Sequence, residues 1–278
     1  MHPFERILLA TEHTEFDSGA ERVAFDIAKV CGIPLAAVLP VVSNPEYEAI
    51  APEIAARAEQ EAASRIADLR GKAEAAGVRM EIVARRGEEP YSEIVQEAGQ
   101  RNADLIVLRR RGKRSFLSDL LVGEMVTKVV AHAPCSVLLV PRACQIWSRG
   151  VLAAVDTSPN SGHVASVAAK AAKQCGLPLH IVSILAHDSP AARAATEGTL
   201  AHARAVAAAA GVPAPASSML IGKPFEQILS AAKDRNTDLI VMGRHGESNV
   251  IRAPFGGTTQ KVIGLADTPV LVVTASLT

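Results

Sequence analysis

Four glycines followed by a pair of threonines mark the place where this chain could do chemistry. They run Gly243-Arg244-His245-Gly246, then nine residues, then Gly256-Gly257-Thr258-Thr259, with an amphipathic stretch opening at Gln260. Without Cβ atoms, such positions let backbone N–H groups close on phosphate oxygens. A helix beginning directly afterwards adds partial positive charge, and threonine hydroxyls add donors. The chemistry predicted is phosphate binding. Turn glycines with φ > 0 are the competing reading, weakened because all four lie between a strand-like run and a helix-like one. Arg244 and Lys223 could add positive charge, or simply face solvent. Asp156, closing an earlier apolar run, is read as a ligand-facing carboxylate or as the first residue of an Asx turn ahead of Ser158.

Motifs for other chemistry are absent: G-x-x-x-x-G-K-[ST], H-E-x-x-H, G-x-S-x-G and G-x-G-x-x-G do not occur. His245 could approach a terminal phosphate or act as an acid or base, but without a visible partner it reads first as a surface donor. Cys31, Cys135, Cys144 and Cys175 include no C-x-x-C pair and no zinc spacing. They read as buried thiols, with Cys144 the more reactive. Lys plus Arg and Asp plus Glu balance at 29 each, which argues against nucleic acid or an anionic membrane surface and for a small partner. Every apolar run breaks well short of a bilayer span, and Met1 to Arg6 lacks a signal-peptide pattern. A cytoplasmic chain with no membrane partner is expected.

The elements that must position this loop occur twice. Cys31-Gly32-Ile33-Pro34-Leu35 returns as Cys175-Gly176-Leu177-Pro178-Leu179, offset by 144. Arg101-Asn102-Ala103-Asp104-Leu105 returns as Arg235-Asn236-Thr237-Asp238-Leu239, offset by 134. The difference puts an excess of roughly ten residues in the first copy around Asn44 to Arg70, an Ala/Glu-rich helical stretch. Strand-length apolar runs are predicted at Ile7–Ala10, Leu35–Leu39, Glu81–Ala84, Leu105–Leu108 and Val137–Val140 in the first copy. In the second they fall at Val151–Val155, Leu179–Leu185, Met219–Gly222, Leu239–Met242 and Val270–Val273. Helical periodicity fills the gaps, including Val164 to Cys175 with Gly176 as its cap, and Ala191 to Ala210. Strands apolar on both faces and separated by helices imply an α/β chain of two tandem doubly wound parallel-sheet domains, five strands each. Residues 1–145 and 146–278 are the expected domains, joined near Pro141 to Gly150, where Trp147 reads as a packing anchor. Such sheets bind ligands beyond the carboxyl ends of their strands.

Gly243-x-x-Gly246-x9-Gly256-Gly257-Thr258, with Val155-Asp156 ending a strand, resembles the G-x-x-G-x9-G-[ST] pattern of the universal stress protein family. The resemblance spans nearly the whole chain twice and includes His132-Ala133-Pro134-Cys135-Ser136-Val137, similar to the family's closing helix, turn and strand. It implies a Rossmann-like fold and a stress-response protein that binds ATP, with or without Mg2+, in its C-terminal domain. The implied nucleotide-binding residues are Ala154, Val155, Asp156, Ile184, Met242, Gly243, Arg244, Gly246, Gly256, Gly257 and Thr258. Ile184 would meet adenine through its backbone, and Asp156 would lie near the ribose and any metal. Gly257 departs from the pattern, standing where the family has Ser or Thr. The resemblance also implies that Val137–Val140 and Val270–Val273 meet antiparallel, making the chain an intramolecular pseudo-dimer that could pair further as a homodimer.

The first copy departs further: Glu12 stands for Asp156, Arg109 for Gly243 and Glu124 for Gly257, with only Gly112 and Gly123 kept. Glu124 is expected to fill the anion site from within. Arg109-Arg110-Arg111-Gly112-Lys113-Arg114 reads first as a solvated loop, second as a basic site for phosphate, nucleic acid or an acidic protein. Three functions follow: a nucleotide-dependent switch or partner-binding protein with little or no catalysis; a nucleotide-free interaction module; or a slow ATPase or phosphotransferase using Asp156, a metal and His245.

Overall fold

The structure, a computed structural model, describes residues 3–110, 122–246 and 256–274. Its first half runs β1 (Ile7–Ala10), α1 (Ser18–Cys31), β2 (Leu35–Val42), α2 (Pro45–Ile50), α3 (Pro52–Ala75), β3 (Met80–Gly87), α4 (Pro90–Gln100), β4 (Leu105–Arg109), α5 (Glu124–His132) and β5 (Ser136–Val140). The second runs β6 (Val151–Val155), α6 (Ser161–Cys175), β7 (Leu179–Leu185), α7 (Pro190–Ala209), β8 (Ala216–Ile221), α8 (Pro224–Asp234), β9 (Leu239–Gly243), α9 (Gly257–Leu265) and β10 (Val270–Val273). Five strands per half match the expectation; β3 and β8 run past their apolar cores into polar residues, and β2 continues through Pro40 to Val42. The ten-residue excess is α2 together with a 24-residue α3, where the second half has the single 20-residue α7.

One sheet carries all ten strands, in the order β3-β2-β1-β4-β5-β10-β9-β6-β7-β8. Pairing is parallel within each half and antiparallel where the halves meet, Val270 opposite Leu139 and Val272 opposite Val137. The expected intramolecular pseudo-dimer is therefore present, and β5 and β10 remove each other's open edges. Side chains alternate along each strand, so two cores run the length of the sheet. Ile7, Leu9, Leu105 and Val107 belong to the core that takes in α1, α3, α6 and α7, while Leu8, Ile106, Leu108 and Leu139 belong to the one that takes in α4, α5, α8 and α9.

The repeated motifs have local reasons. Gly32 and Gly176 end α1 and α6 in the left-handed region, both at φ 65°, which glycine enters without steric penalty. Asn102 and Asn236 each take φ 50° after α4 and α8. The aspartate two residues later then receives backbone N–H groups from the segment entering the half's first strand. Asp104 binds the N–H of Glu5 at 2.7 Å, and Asp238 that of Ser148 at 2.8 Å. Trp147 is 5% exposed and packs in the core shared by the halves, as expected.

Candidate functional site

In each half the chain leaves the first strand toward one side of the sheet and reaches the fourth on the other, so their carboxyl ends diverge and leave a crevice. In the second half this crevice lies past Val155 of β6 and Gly243 of β9, with a volume of about 660 Å³. Its walls include Ala154, Val155, Asp156, Ile184, Met242, Gly243, Gly246, Gly256, Gly257 and Thr258, bringing ten of the eleven expected residues together. Ser158, Ser161, Val164, Ala186, Pro224, Ile228, His245, Thr259 and Lys261 complete the lining. The lining mixes apolar side chains such as Ile184, Ile228 and Met242 with polar ones such as Asp156, Ser158 and Thr258.

Space, rather than backbone conformation, explains Gly243 and Gly246. None of the four glycines has φ in the left-handed region, so the turn-glycine reading fails. A Cβ on Gly246 would stand 2.6 Å from Asp156 Oδ2, and one on Gly243 would stand 3.2 Å from the His245 carbonyl oxygen. A Cβ on Gly257 would meet nothing within 4 Å, so packing does not enforce this departure from Ser or Thr. Gly256 caps α9, whose first turn begins at Gly257, and Thr258 sits at its second position on the crevice wall. Thr259 does separate work: its Oγ1 donates to the Gly243 carbonyl at 3.0 Å, joining the start of α9 to the end of β9. The first N–H groups of a helix lack partners within it, so this end presents donors to the crevice.

The Asx-turn reading of Asp156 holds, and the residue also stands in the crevice wall. Its Oδ1 accepts the Ser158 N–H at 3.1 Å, closing an Asx turn, while Oδ2 faces Gly246. Ser161 donates its hydroxyl to the Asp156 carbonyl, which fixes the turn against α6. Lys261 reaches the rim with its ammonium 4.7 Å from the centroid of the Phe225 ring. Lys223 lies outside the lining, paired with Glu226 at 3.2 Å and exposed.

Arg244 is a correction. It does not face the crevice; its guanidinium donates to the carbonyls of Ala131 at 3.1 Å and Ala133 at 2.6 Å and to Thr274 Oγ1 at 2.8 Å. These acceptors lie at the end of α5 and beyond β10, where bare carbonyls attract a cation more strongly than an exposed loop would. Burial lowers the Arg244 pKa from its ordinary value, yet a guanidinium stays charged.

The corresponding place in the first half is filled by a side chain. Arg109 is 6% exposed. Its guanidinium pairs with Glu12 Oε2 at 2.9 Å and Asp17 Oδ2 at 3.4 Å, and donates to Thr14 Oγ1 at 3.0 Å. Next to it His13, at φ 52°, meets Glu21 Oε1 at 2.7 Å, and Thr11 donates to the same oxygen at 3.0 Å. The expectation that Glu124 fills this site is overturned. Its side chain is 82% exposed and pairs with Lys128 at 3.1 Å, because water and a neighbouring ammonium solvate a carboxylate better than a closed cradle does. The solvated-loop reading also fails where it can be checked: Arg109 is buried, and Arg110 donates to the carbonyls of Ile263 at 3.0 Å and Gly264 at 3.2 Å. Arg111, Gly112, Lys113 and Arg114 lie outside the described residues.

Cys144, expected to be the most reactive of four buried thiols, is not activated by its surroundings. It is half-buried, its Sγ donates to the Asp267 carbonyl at 3.3 Å, and burial raises its pKa. Among the described residues no helix is long and apolar enough to cross a membrane, and no three His, Cys, Asp or Glu side chains gather as a metal cage.

The profile of the Universal stress protein family matches the chain twice, over residues 3–141 and 148–274. A universal stress protein of Synechocystis, Slr1230, is 29% identical over 168 residues, covering 60% of this chain and 57% of that relative's length. A universal stress protein of Archaeoglobus fulgidus shares the fold at a TM-score of 0.79 and 22% identity, with 98% of each chain covered. A shorter universal stress protein from the same organism, solved in complex with dAMP, matches 45% of this chain at a TM-score of 0.38 and 22% identity. With two profile matches that together span nearly its whole length, on a sheet whose halves repeat one strand order, the chain belongs to the universal stress protein family.

Proposed function

We propose that the second half binds an adenine nucleotide, ATP, in the crevice between β6 and β9, and that the protein acts in a stress response through nucleotide-dependent conformation or partner binding, with little or no catalysis. The phosphates would lie on the start of α9 and the loop from Gly243 to Gly246, with Thr258 donating. The base would lie toward Ile184, Ala186 and Ile228. The carrying observation is the contrast at one position of the fold: the second half keeps a lined crevice of about 660 Å³ where the first half holds the Arg109 guanidinium. That volume suits a ligand of nucleotide size.

Mg2+ fits this donor set in a limited way. It is commonly held by one or two carboxylates plus phosphate oxygens, and Asp156 supplies one carboxylate at the crevice. Bound there, the cation would neutralise phosphate charge. The chain's own contribution is positional: the Asx turn and Ser161 hold Asp156 in place.

Titration calorimetry of the intact chain with ATP and Mg2+ tests the proposal. One site per chain is expected, abolished by Gly246→Arg and retained in a first-half variant such as Glu124→Gln. No heat at millimolar ATP would overturn it, and two sites per chain would overturn its assignment to one half.

A further inference from the structure

Arg110 and Arg244 occupy equivalent positions, each directly after the last residue of its half's fourth strand. Their backbones do the same thing: the Arg110 N–H donates to Val140 and the Arg244 N–H to Val273, each the last residue of a fifth strand. Their side chains then cross to opposite halves. Arg244 reaches the end of α5 at the Ala131 and Ala133 carbonyls, and Arg110 reaches the end of α9 at the Ile263 and Gly264 carbonyls. A helix leaves its final carbonyls without partners and carries partial negative charge there, so a guanidinium answers both needs. Two carbonyls at each end suit a forked donor and not a single ammonium.

The two ends differ in what they govern. Arg244 belongs to the loop between Gly243 and Gly246, and its carbonyl accepts the Gly256 N–H at 2.9 Å. Arg110 grips the far end of the helix whose near end lines the crevice. Two parts of the crevice, the loop and the helix, are thus anchored on the first half. Thr259 then links them to one another through Gly243.

We propose that Arg110 and Arg244 are positioning residues for ligand binding in the second half: they make the shape of its crevice conditional on the docked first half, so that ligand occupancy and interhalf docking reinforce one another. This rests on the nucleotide reading above. The first half, whose own cradle is filled by Arg109, thereby remains a working part of the site. Coupling is reciprocal, so a ligand that orders the loop and α9 tightens the contacts of Arg244 on α5.

Hydrogen exchange and calorimetry on the intact chain test this together. In nucleotide-free protein, Arg110→Ala should speed amide exchange in α9, and Arg110→Lys should do so less. With ATP as probe, Arg110→Ala should weaken binding roughly tenfold, the size of a modest coupling between sites. ATP should slow exchange around Ala131 to Ala133 in the wild type, far from the ligand, and this protection should disappear in Arg244→Lys. Exchange in α9 that is unchanged in Arg110→Ala overturns the clasp whether or not ATP binds. Equal ATP affinity in wild type and Arg110→Ala overturns its role in binding. A wild type that binds no ATP overturns the proposed function instead, while faster exchange in α9 of Arg110→Ala would still support the clasp.

Discussion

The two halves share a strand order and repeated turn motifs, yet at the carboxyl ends of their first and fourth strands one presents a crevice and the other a buried cation. Two positions account for the contrast. Asp156 and Gly243 border the open crevice of the second half; Glu12 and Arg109 stand there in the first and pair with each other. Arg109 decides the outcome, because a guanidinium can satisfy Glu12, Asp17 and Thr14 from inside the chain. A duplicated fold can therefore lose a site without losing stability, provided one substitution brings its own counter-charges.

The largest test of that contrast removes the internal cation. Arg109→Ala leaves the Asp17 carboxylate, only 2% exposed, without its guanidinium. Breaking a buried pair from one side costs about 3–5 kcal/mol. Glu12 contributes the lesser part, being 37% exposed and screened by water. Urea unfolding checks this; a loss below about 1 kcal/mol would mean that the pair behaves as a surface one.

Next comes the glycine that the crevice needs. Gly246→Ala places a methyl group 2.6 Å from Asp156 Oδ2, so either the loop or the carboxylate must shift. ATP affinity should fall by roughly a hundredfold, since either the loop's phosphate donors or the Asp156 carboxylate is displaced. Calorimetry showing less than a threefold change would remove the steric basis for the second half's advantage.

Outside the sites, the halves also differ in how closely their first helices pack. Gly19, second residue of α1, has the Pro141 carbonyl oxygen 2.4 Å from an added Cβ, and backbone cannot yield easily. Gly162, second residue of α6, faces only the His202 ring at 2.9 Å. Gly19→Ala should destabilise by about 1–3 kcal/mol and Gly162→Ala by less, because the histidine can turn away. Thermal unfolding of the two variants side by side decides it.

The smallest effect is one of pH. Burial, the largest influence on both equivalent aspartates, pushes their pKa up. At Asp104 it prevails over the Glu5 and Arg6 N–H groups, whereas at Asp238 the N–H groups of Ser148, Gly150 and Arg149 and the Arg149 charge outweigh it. Asp104 therefore ends above its ordinary 3.8 and Asp238 below it. Asp238 adds stability that is complete above 3.8 and lost as pH falls through its folded value. Asp104 works the other way, its contribution improving as pH falls through its raised value toward 3.8. At pH 7 Asp238→Asn should cost about 1–2 kcal/mol and Asp104→Asn less, with the gap shrinking in acid. Urea titrations at pH 7 and pH 4 that show equal losses would erase this distinction.

Much of the molecule was legible in its residues because local rules govern it. The repeated Arg-Asn-x-Asp-Leu and Cys-Gly-x-Pro-Leu segments mark a helix end, a left-handed residue and a strand start, and each needs only near neighbours to take shape. Short continuous apolar runs placed all ten strands. The glycine spacing located the crevice and ten of its wall residues, and the threonine pair was read as phosphate donors. Helical position adds that Thr259, one turn back from Val262 and Ile263, lies on the buried face, where its hydroxyl is taken by the Gly243 carbonyl.

The arginines resisted the same treatment. A glycine's lack of a side chain acts where it stands, but an arginine's long stem can deliver its charge to loop, solvent or distant carbonyl alike. The amino-acid order by itself determined the duplication, the parallel halves and the second half's spare backbone at Gly243 to Gly257. Only the tertiary structure decided that Arg109 closes on Glu12 and Asp17, and that Arg110 and Arg244 reach across to α9 and α5. The physical reason is distance along the chain: Arg109 and Asp17 lie 92 residues apart, Arg110 and Ile263 lie 153 apart, and bare helix ends exist only once the halves have folded and docked.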